Sequence, residues 1–176
     1  MKKNRNYLIF SQIENYLRTP PVYCIITSMT IITQAKTKVV DALVQKKVMG
    51  SCLVSCILLK EMLDKKGINS TIKQGYLTNG KYACTHYYLE VNEDILDIGT
   101  EVLNRLEPDR HSVSAKQTLC NDIPDNTLRM DMETLEEIER TTQMIQMYND
   151  YIIDPKSYWN NAPLKLLRMR KKLLRS

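Results

Sequence analysis

Ser70-Thr71-Ile72-Lys73-Gln74-Gly75-Tyr76-Leu77-Thr78 is followed by Asn79-Gly80 and, after Lys81, by Tyr82-Ala83-Cys84-Thr85-His86-Tyr87-Tyr88-Leu89-Glu90-Val91. Both outer runs are rich in β-branched and aromatic residues, which fit a pleated, half-buried surface. Asn-Gly between two such runs is a strong hairpin signal. Asn92-Glu93-Asp94 turns the chain again, and Ile95-Leu96-Asp97-Ile98 reads as a short third strand. Upstream, residues 52–66 read as a helix: Leu53, Ile57, Leu58 and Met62 form a stripe, Ser51 suits the N-cap, and Gly67 suits the C′ position.

Glycine and proline bound this block. The five glycines fall at 50, 67, 75, 80 and 99, and all six prolines lie outside 22–107. Tight turns are therefore expected in the centre and Pro-punctuated helices in the flanks. Residues 6–18 read as a helix that Pro20-Pro21 ends. Residues 22–33 read both ways, as a β-branched strand or a buried helix. Residues 36–48 carry Val39, Val40, Leu43, Val44 and Val48 at helical spacing. Residues 104–130 are polar and irregular. Residues 131–152 return to helix, with Met132, Leu135, Ile138, Ile145 and Tyr148 on one side. Helices, then a meander of about three antiparallel strands, then a helix make an α+β fold. The expected organisation is one domain over 1–163, with N-terminal helices in 5–48, a core at 50–99 and a C-terminal helix at 131–152. A basic tail, 164–176, follows.

A chain of 176 residues, 43% hydrophobic and 26% charged, suits one globular domain and excludes collagen-like or low-complexity classes. The longest apolar run, Cys24–Ile32, already contains Thr27, Ser28 and Thr30, too polar and short to span a membrane. Behind the basic N-terminus only Tyr7–Phe10 is apolar, too short for a secretory signal. The five cysteines are an odd number without a CxxC pair, which fits free thiols in a reducing compartment. A cytoplasmic location is expected.

The net charge of +5 is local. Lys165, Arg168, Arg170, Lys171, Lys172 and Arg175 crowd the tail; without these six, 19 bases face 20 acids. The body is therefore not a basic nucleic-acid binder. The tail is the expected place for a nucleic-acid or anionic-membrane contact. The acidic segment 121–154, with nine acids against Arg129 and Arg140, is the other expected partner of the tail.

Three elements of the glycine-rich block carry chemistry. Cys52 opens a helix, where the macrodipole and free N–H groups favour a thiolate and can bind an oxyanion. His86, on a nearby strand, can exchange the thiol proton and protonate a leaving group. Asp97, on the neighbouring strand, can accept from the other imidazole nitrogen and fix its tautomer.

Gly50-Ser51-Cys52, an apolar helix to Lys66-Gly67-Ile68, Gly75-Tyr76, His86 through Val91, and Asp97 together resemble the core of the transglutaminase-like superfamily. The resemblance covers about residues 50–99. It implies a papain-like Cys-His-Asp arrangement, a nucleophile-bearing helix on a small antiparallel sheet, with Cys52 as nucleophile, His86 as base and Asp97 as orienting acid. Tyr88 stands where relatives often carry an aromatic. The His-to-Asp interval is eleven residues, and Ile98 stands where relatives often have Pro, so Asp94 and Glu93 are reserve candidates. The implied activity is that of a cysteine-nucleophile hydrolase, such as a thiol protease, or an acyltransferase. It would act on a peptide or isopeptide-like amide of a protein or peptide substrate, without a cofactor or metal. Two alternatives stand beside it. One is a catalytically inactive binding module. The other is a zinc site of Cys52, Cys56, Cys84 and His86, since Cys56 and Cys84 each share a face with a candidate residue. Cys56 otherwise reads as core, and Gln45 as an exposed helix residue with a side-chain amide.

Overall fold

The computed structural model describes residues 22–48, 51–108 and 118–176. The helix expected at 6–18, together with Gly50 and His111, lies outside them. The chain divides into two compact units, Met1–Gln34 and Ala35–Ser176. In the first, the described residues are helical from Val22. This settles the ambiguous 22–33 segment: it belongs to α1, Val22–Gln45, a length no strand of a small sheet reaches. In the second unit α1 buries Ala35, Val39, Val40 and Leu43, the helical stripe seen in the sequence.

The second unit is α+β. After α1 come α2 (Cys52–Asp64), β1 (Thr71–Thr78), β2 (Tyr82–Val91), β3 (Asp94–Leu96) and α3 (Ile98–Leu106). Then follow β4 (Thr118–Cys120), β5 (Leu128–Arg129), a 3₁₀ turn (Met130–Met132), α4 (Leu135–Ile153), α5 (Pro155–Asn161) and α6 (Leu164–Leu173). Strands run β3-β2-β1-β4, all antiparallel, and β5 pairs with β2 in parallel. Thr71 lies opposite Glu90, and Gly75 opposite His86.

The hairpin turn sits one residue later than the Asn-Gly signal suggests. Asn79 N bonds Tyr82 O, so Gly80 and Lys81 are the central residues, with Gly80 at φ +87°. Asn79 caps the turn with its side chain, which accepts from the amides of Lys81 and Tyr82. The next turn is also two residues long: Asn92 and Glu93 both take positive φ between the paired Val91 and Asp94.

α2 is the central element. Leu53, Ser55 through Leu59, Met62 and Leu63 are all buried, so the helix is covered on most sides rather than along one stripe. It packs on β1 and β2, with α3 and α6 against its other sides. Ile68 N reaches back to Leu63 O with Gly67 at φ +73°, the glycine-terminated stop the sequence suggested. The hydroxyl of Ser51, expected to cap the other end, makes no capping bond.

Two helical faces differ from expectation. Ile98, read as a strand end, and residues 104–106, read as irregular, belong to α3, because Asp97 is an N-cap whose side chain accepts from Thr100 N. Ile98 and Val102, one turn apart, are its buried face. In α4, Leu135 is 81% and Ile138 36% exposed, while Thr141 and Tyr151 are buried. The start of α4 is fixed instead by a capping box between Thr134 and Glu137.

The tail is not a separate appendage. α6 buries Met169 and Leu173, each 6% exposed, as its spacing allowed. Arg170 does not pair with the acidic segment 121–154. Its Nε bonds Glu61 Oε2 of α2 at 2.5 Å, and Glu61 Oε1 also accepts from Trp159 Nε1. Lys65 of the α2 end bonds the Leu174 carbonyl. Met169→Ala should therefore cost about 2–4 kcal/mol, read as a lower urea midpoint. A chain cut after residue 163 should be destabilised further; a wild-type midpoint for that chain would show that α6 contributes nothing to the core. Among the described residues no helix is long and apolar enough to cross a membrane.

Candidate active site

Cys52 is the first residue of α2. The Ser51 carbonyl takes the first helical bond, from Ser55 N at 2.7 Å, and Ser55 Oγ bonds the Cys52 carbonyl at 2.9 Å. The amides ahead of Ser55 belong to the first turn, where no intrahelical acceptor exists. They therefore point beyond the helix end that Cys52 opens. Cys52 Sγ is half-buried and lies 3.7 Å from Met144 Sδ of α4.

His86 stands in the middle of β2, 5% exposed. Its Nε2 lies 2.8 Å from Asp97 Oδ1, leaving Nδ1 as the nitrogen available to the thiol. Burial works against charge on the ring. Hydrogen bonds with Asp97 and Cys52, and attraction to both, outweigh it and push the His86 pKa from its ordinary 6.5 up to about 9.

Asp97 leaves β3 and caps α3. Burial would raise its carboxyl, but hydrogen bonds from His86 and Thr100 and the charge of His86 hold it below its usual value. Oδ1 accepts from both His86 Nε2 and Thr100 N, the latter at 3.0 Å, while Oδ2 accepts from Thr100 Oγ1 at 2.6 Å. One residue thus starts a helix and holds an imidazole. The reserve candidates stand elsewhere: Glu93 and Asp94 are exposed at the preceding turn. Gln45 is exposed at the end of α1, as its helical reading has it.

Gly99 joins the two halves. A Cβ there would lie 2.8 Å from both Cα and Cβ of Cys52 and 3.2 Å from His86 Cε1. Its role is close approach of α3 to α2, not a turn. Gly75 likewise faces the Cys120 carbonyl, which a Cβ would meet at 2.6 Å. Tyr88 packs over Gly75 and donates to Asn121 Oδ1 at 3.0 Å.

Residue 85 is pinned from the other edge of β2. Asp131 Oδ2 accepts from Thr85 N at 2.8 Å, Arg129 Nη2 donates to Thr85 Oγ1 at 3.0 Å, and Arg129 Nε bonds Asp131 Oδ1 at 2.7 Å. Met144, Gly99, Thr100 and the Arg129–Asp131 pair were not singled out from the sequence. Only Thr100 left a local signal, as the third residue after an Asp that opens an apolar i,i+4 pair.

The remaining thiols differ from Cys52. Cys56 is fully buried, and burial, with Cys52 and Asp97 nearby, raises its pKa far above the ordinary value. Burial, with the charges of Asp131 and Cys52, pushes Cys84 up to about 11. Cys52, Cys56, Cys84 and His86, the alternative zinc set, do not form a metal-holding group. Among the described residues no three His, Cys, Asp or Glu side chains converge to hold a metal ion. A depression of about 490 Å³ lies between α4, α5 and the turn after α5, lined by residues such as Met147, Asp150, Tyr158 and Pro163, and not by Cys52. Comparison with family models, curated proteins and solved structures yields no match.

Proposed function

We propose that the chain is a cysteine-nucleophile hydrolase or acyltransferase with a transglutaminase-like, papain-like core, acting on an amide of a protein or peptide. The observation that carries this reading is the His86 ring, bonded at 2.8 Å to Asp97 and brought beside Cys52, the first residue of a helix, around Gly99.

The chemistry follows from the charges. His86 holds its proton to about pH 9, so the working pair is an imidazolium beside the Cys52 sulfur. The Cys52 thiolate attacks the carbonyl carbon, and the oxyanion is stabilised by free amides of the first turn of α2. His86 gives its proton to the leaving nitrogen as the C–N bond breaks, leaving a thioester and a neutral ring. Neutral His86 then takes a proton from water as the water oxygen attacks the thioester. The acid leaves, and the sulfur regains its electron pair. An amine in place of water gives acyl transfer. Asp97 orients the ring throughout and stabilises its charge.

Labelling is the direct test. Sub-stoichiometric iodoacetamide at neutral pH should modify Cys52 before Cys84, Cys120 or buried Cys56. His86→Ala should slow that labelling about 10-fold or more. An electrophilic acyl probe should map to the same residue. Faster labelling of Cys120 or Cys84 in the folded protein would remove Cys52 as the nucleophile.

A further inference from the structure

We infer that Thr100 is a positioning residue for the candidate triad: its hydroxyl locks the Asp97 carboxylate in the plane that faces His86. This rests on the reading of Cys52, His86 and Asp97 as one catalytic unit.

The argument begins with what a helix cap needs. An N-cap carboxylate needs one backbone donor from the first turn, and Thr100 N supplies it to Oδ1 at 3.0 Å. That bond alone leaves the carboxylate free to swing about its last torsion, which is broad for Asp. Oδ1 carries a second duty, because it also accepts from His86 Nε2 at 2.8 Å. Swinging would break the imidazole bond while keeping the cap. The Thr100 hydroxyl removes this freedom by donating to the opposite oxygen, Oδ2, at 2.6 Å. Backbone and side chain of one residue therefore grip both oxygens of Asp97. The hydroxyl bond is surplus to capping, but it is what keeps Oδ1 aligned with the ring. Charge-assisted bonds of this length are among the stronger neutral-donor interactions.

Thr100 itself has a fixed seat. It lies in the first turn of α3, directly after Gly99, whose close approach to Cys52 sets the position of the helix start. Glu101, the next residue, bonds Lys36 Nζ of α1 at 2.8 Å, and Arg105 one turn later bonds Asp41 of α1 at 2.8 Å. The α3 start is thereby held against both neighbouring helices, and the Thr100 hydroxyl transmits that fixed position to His86 through Asp97.

The test uses the full chain with Thr100→Val, which keeps shape and the capping amide but loses the hydroxyl, and Thr100→Ser, which restores it. Thr100→Ala is a second deletion should Val be tolerated poorly. The His86 Cε1–H resonance is followed by NMR from pH 5 to 10, and Cys52 alkylation is timed across the same range. In Thr100→Val the His86 inflection should fall by about one unit, because a mobile carboxylate supports the imidazolium less well. Alkylation at neutral pH should slow about 10-fold. Thr100→Ser should recover most of both. An unmoved His86 inflection in Val and Ala, with only a lower melting temperature, would reduce Thr100 to a structural cap and overturn the inference. So would failure of Ser to rescue the inflection. A shifted inflection with unchanged Cys52 reactivity would uphold the positioning role and sink the catalytic reading of the thiol.

Discussion

Asp97→Asn is expected to keep the fold, lower the His86 inflection by about two units, and slow acylation of Cys52 about 10²-fold. Asn keeps the cap, since its carbonyl oxygen can still accept from Thr100 N, which now meets Oδ1 at 3.0 Å. It loses the charge that, with the hydrogen bond, offsets burial of the imidazolium. Burial, the largest influence on the ring and one that lowers its pKa, is then opposed only by Cys52 and by a hydrogen bond to a neutral oxygen at the Oδ1 position. The same change costs about 10⁴ in a serine triad. A smaller loss is expected here, because a thiolate needs less help from a base than a hydroxyl does. Asp94→Asn, at the exposed turn, should change neither quantity. A full acylation rate in Asp97→Asn with a large loss in Asp94→Asn would transfer the orienting role to Asp94.

The stability signature has a fixed sign. The folded-state pKa of His86 is raised, so its contribution is complete below the ordinary value of 6.5 and disappears as pH climbs through about 9. Asp97 is depressed, so its contribution is present above its ordinary 3.8 and is lost as pH falls through its lower folded value. The wild type should exceed Asp97→Asn most clearly at pH 5–6 and converge on it above pH 9. The His86 shift corresponds to about 3 kcal/mol across that upper window. Urea midpoints at three pH values would show it. A difference that grows with rising pH would contradict the imidazolium–carboxylate pairing.

What the sequence disclosed followed locality. The β1–β2 hairpin was legible because Asn79 and Gly80 act within the turn they signal, and α2 because its stop glycine is adjacent. Asp97 was located as a functional candidate but assigned to a strand, since Ile95-Leu96-Asp97-Ile98 imitates a short apolar run. The cap that converts Ile98 into the start of α3 depends on Thr100, whose signal is one hydroxyl and one amide. The apolar side read for α4 packs only in part, at Ile145 and Tyr148, for a different reason. Leu135, Ile138, Ile152 and Ile153 are all apolar yet exposed, so hydropathy marks more of α4 than its packed side. The faces that pack are chosen by tertiary partners such as Tyr87, whose ring lies 5.1 Å from that of Tyr148. The partner of the tail was equally hidden, because Glu61 and Arg170 are 109 residues apart and no local pattern couples them.

Gly99 shows how much of the candidate site rests on an absent side chain. Gly99→Ala is expected to destabilise the chain by about 2–3 kcal/mol and slow Cys52 alkylation about 10²-fold. The new methyl would stand 2.8 Å from the Cα and Cβ of Cys52, where no relaxed carbon sits. Neither atom is the end of a flexible side chain, so relief requires α2 and α3 to part. Parting moves the sulfur at the start of α2 away from the ring of His86, and it moves Asp97, one cap residue ahead of α3, with α3. Misplacement of about 1 Å at reacting groups is enough for losses of this size. Gly67→Ala provides the contrast. Its φ of +73° disfavours a side chain, but no atom lies within 4 Å, so about 1 kcal/mol of strain should appear with no change at the thiol. Measuring both variants by urea unfolding, alkylation rate and His86 titration separates strain in the backbone from displacement of the Cys52 thiol. If Gly99→Ala alkylates at the wild-type rate with an unshifted His86 inflection, the α3 start does not set the Cys52–His86 geometry, and alignment of the pair must come from β2 and the Arg129–Asp131 clamp on Thr85 instead.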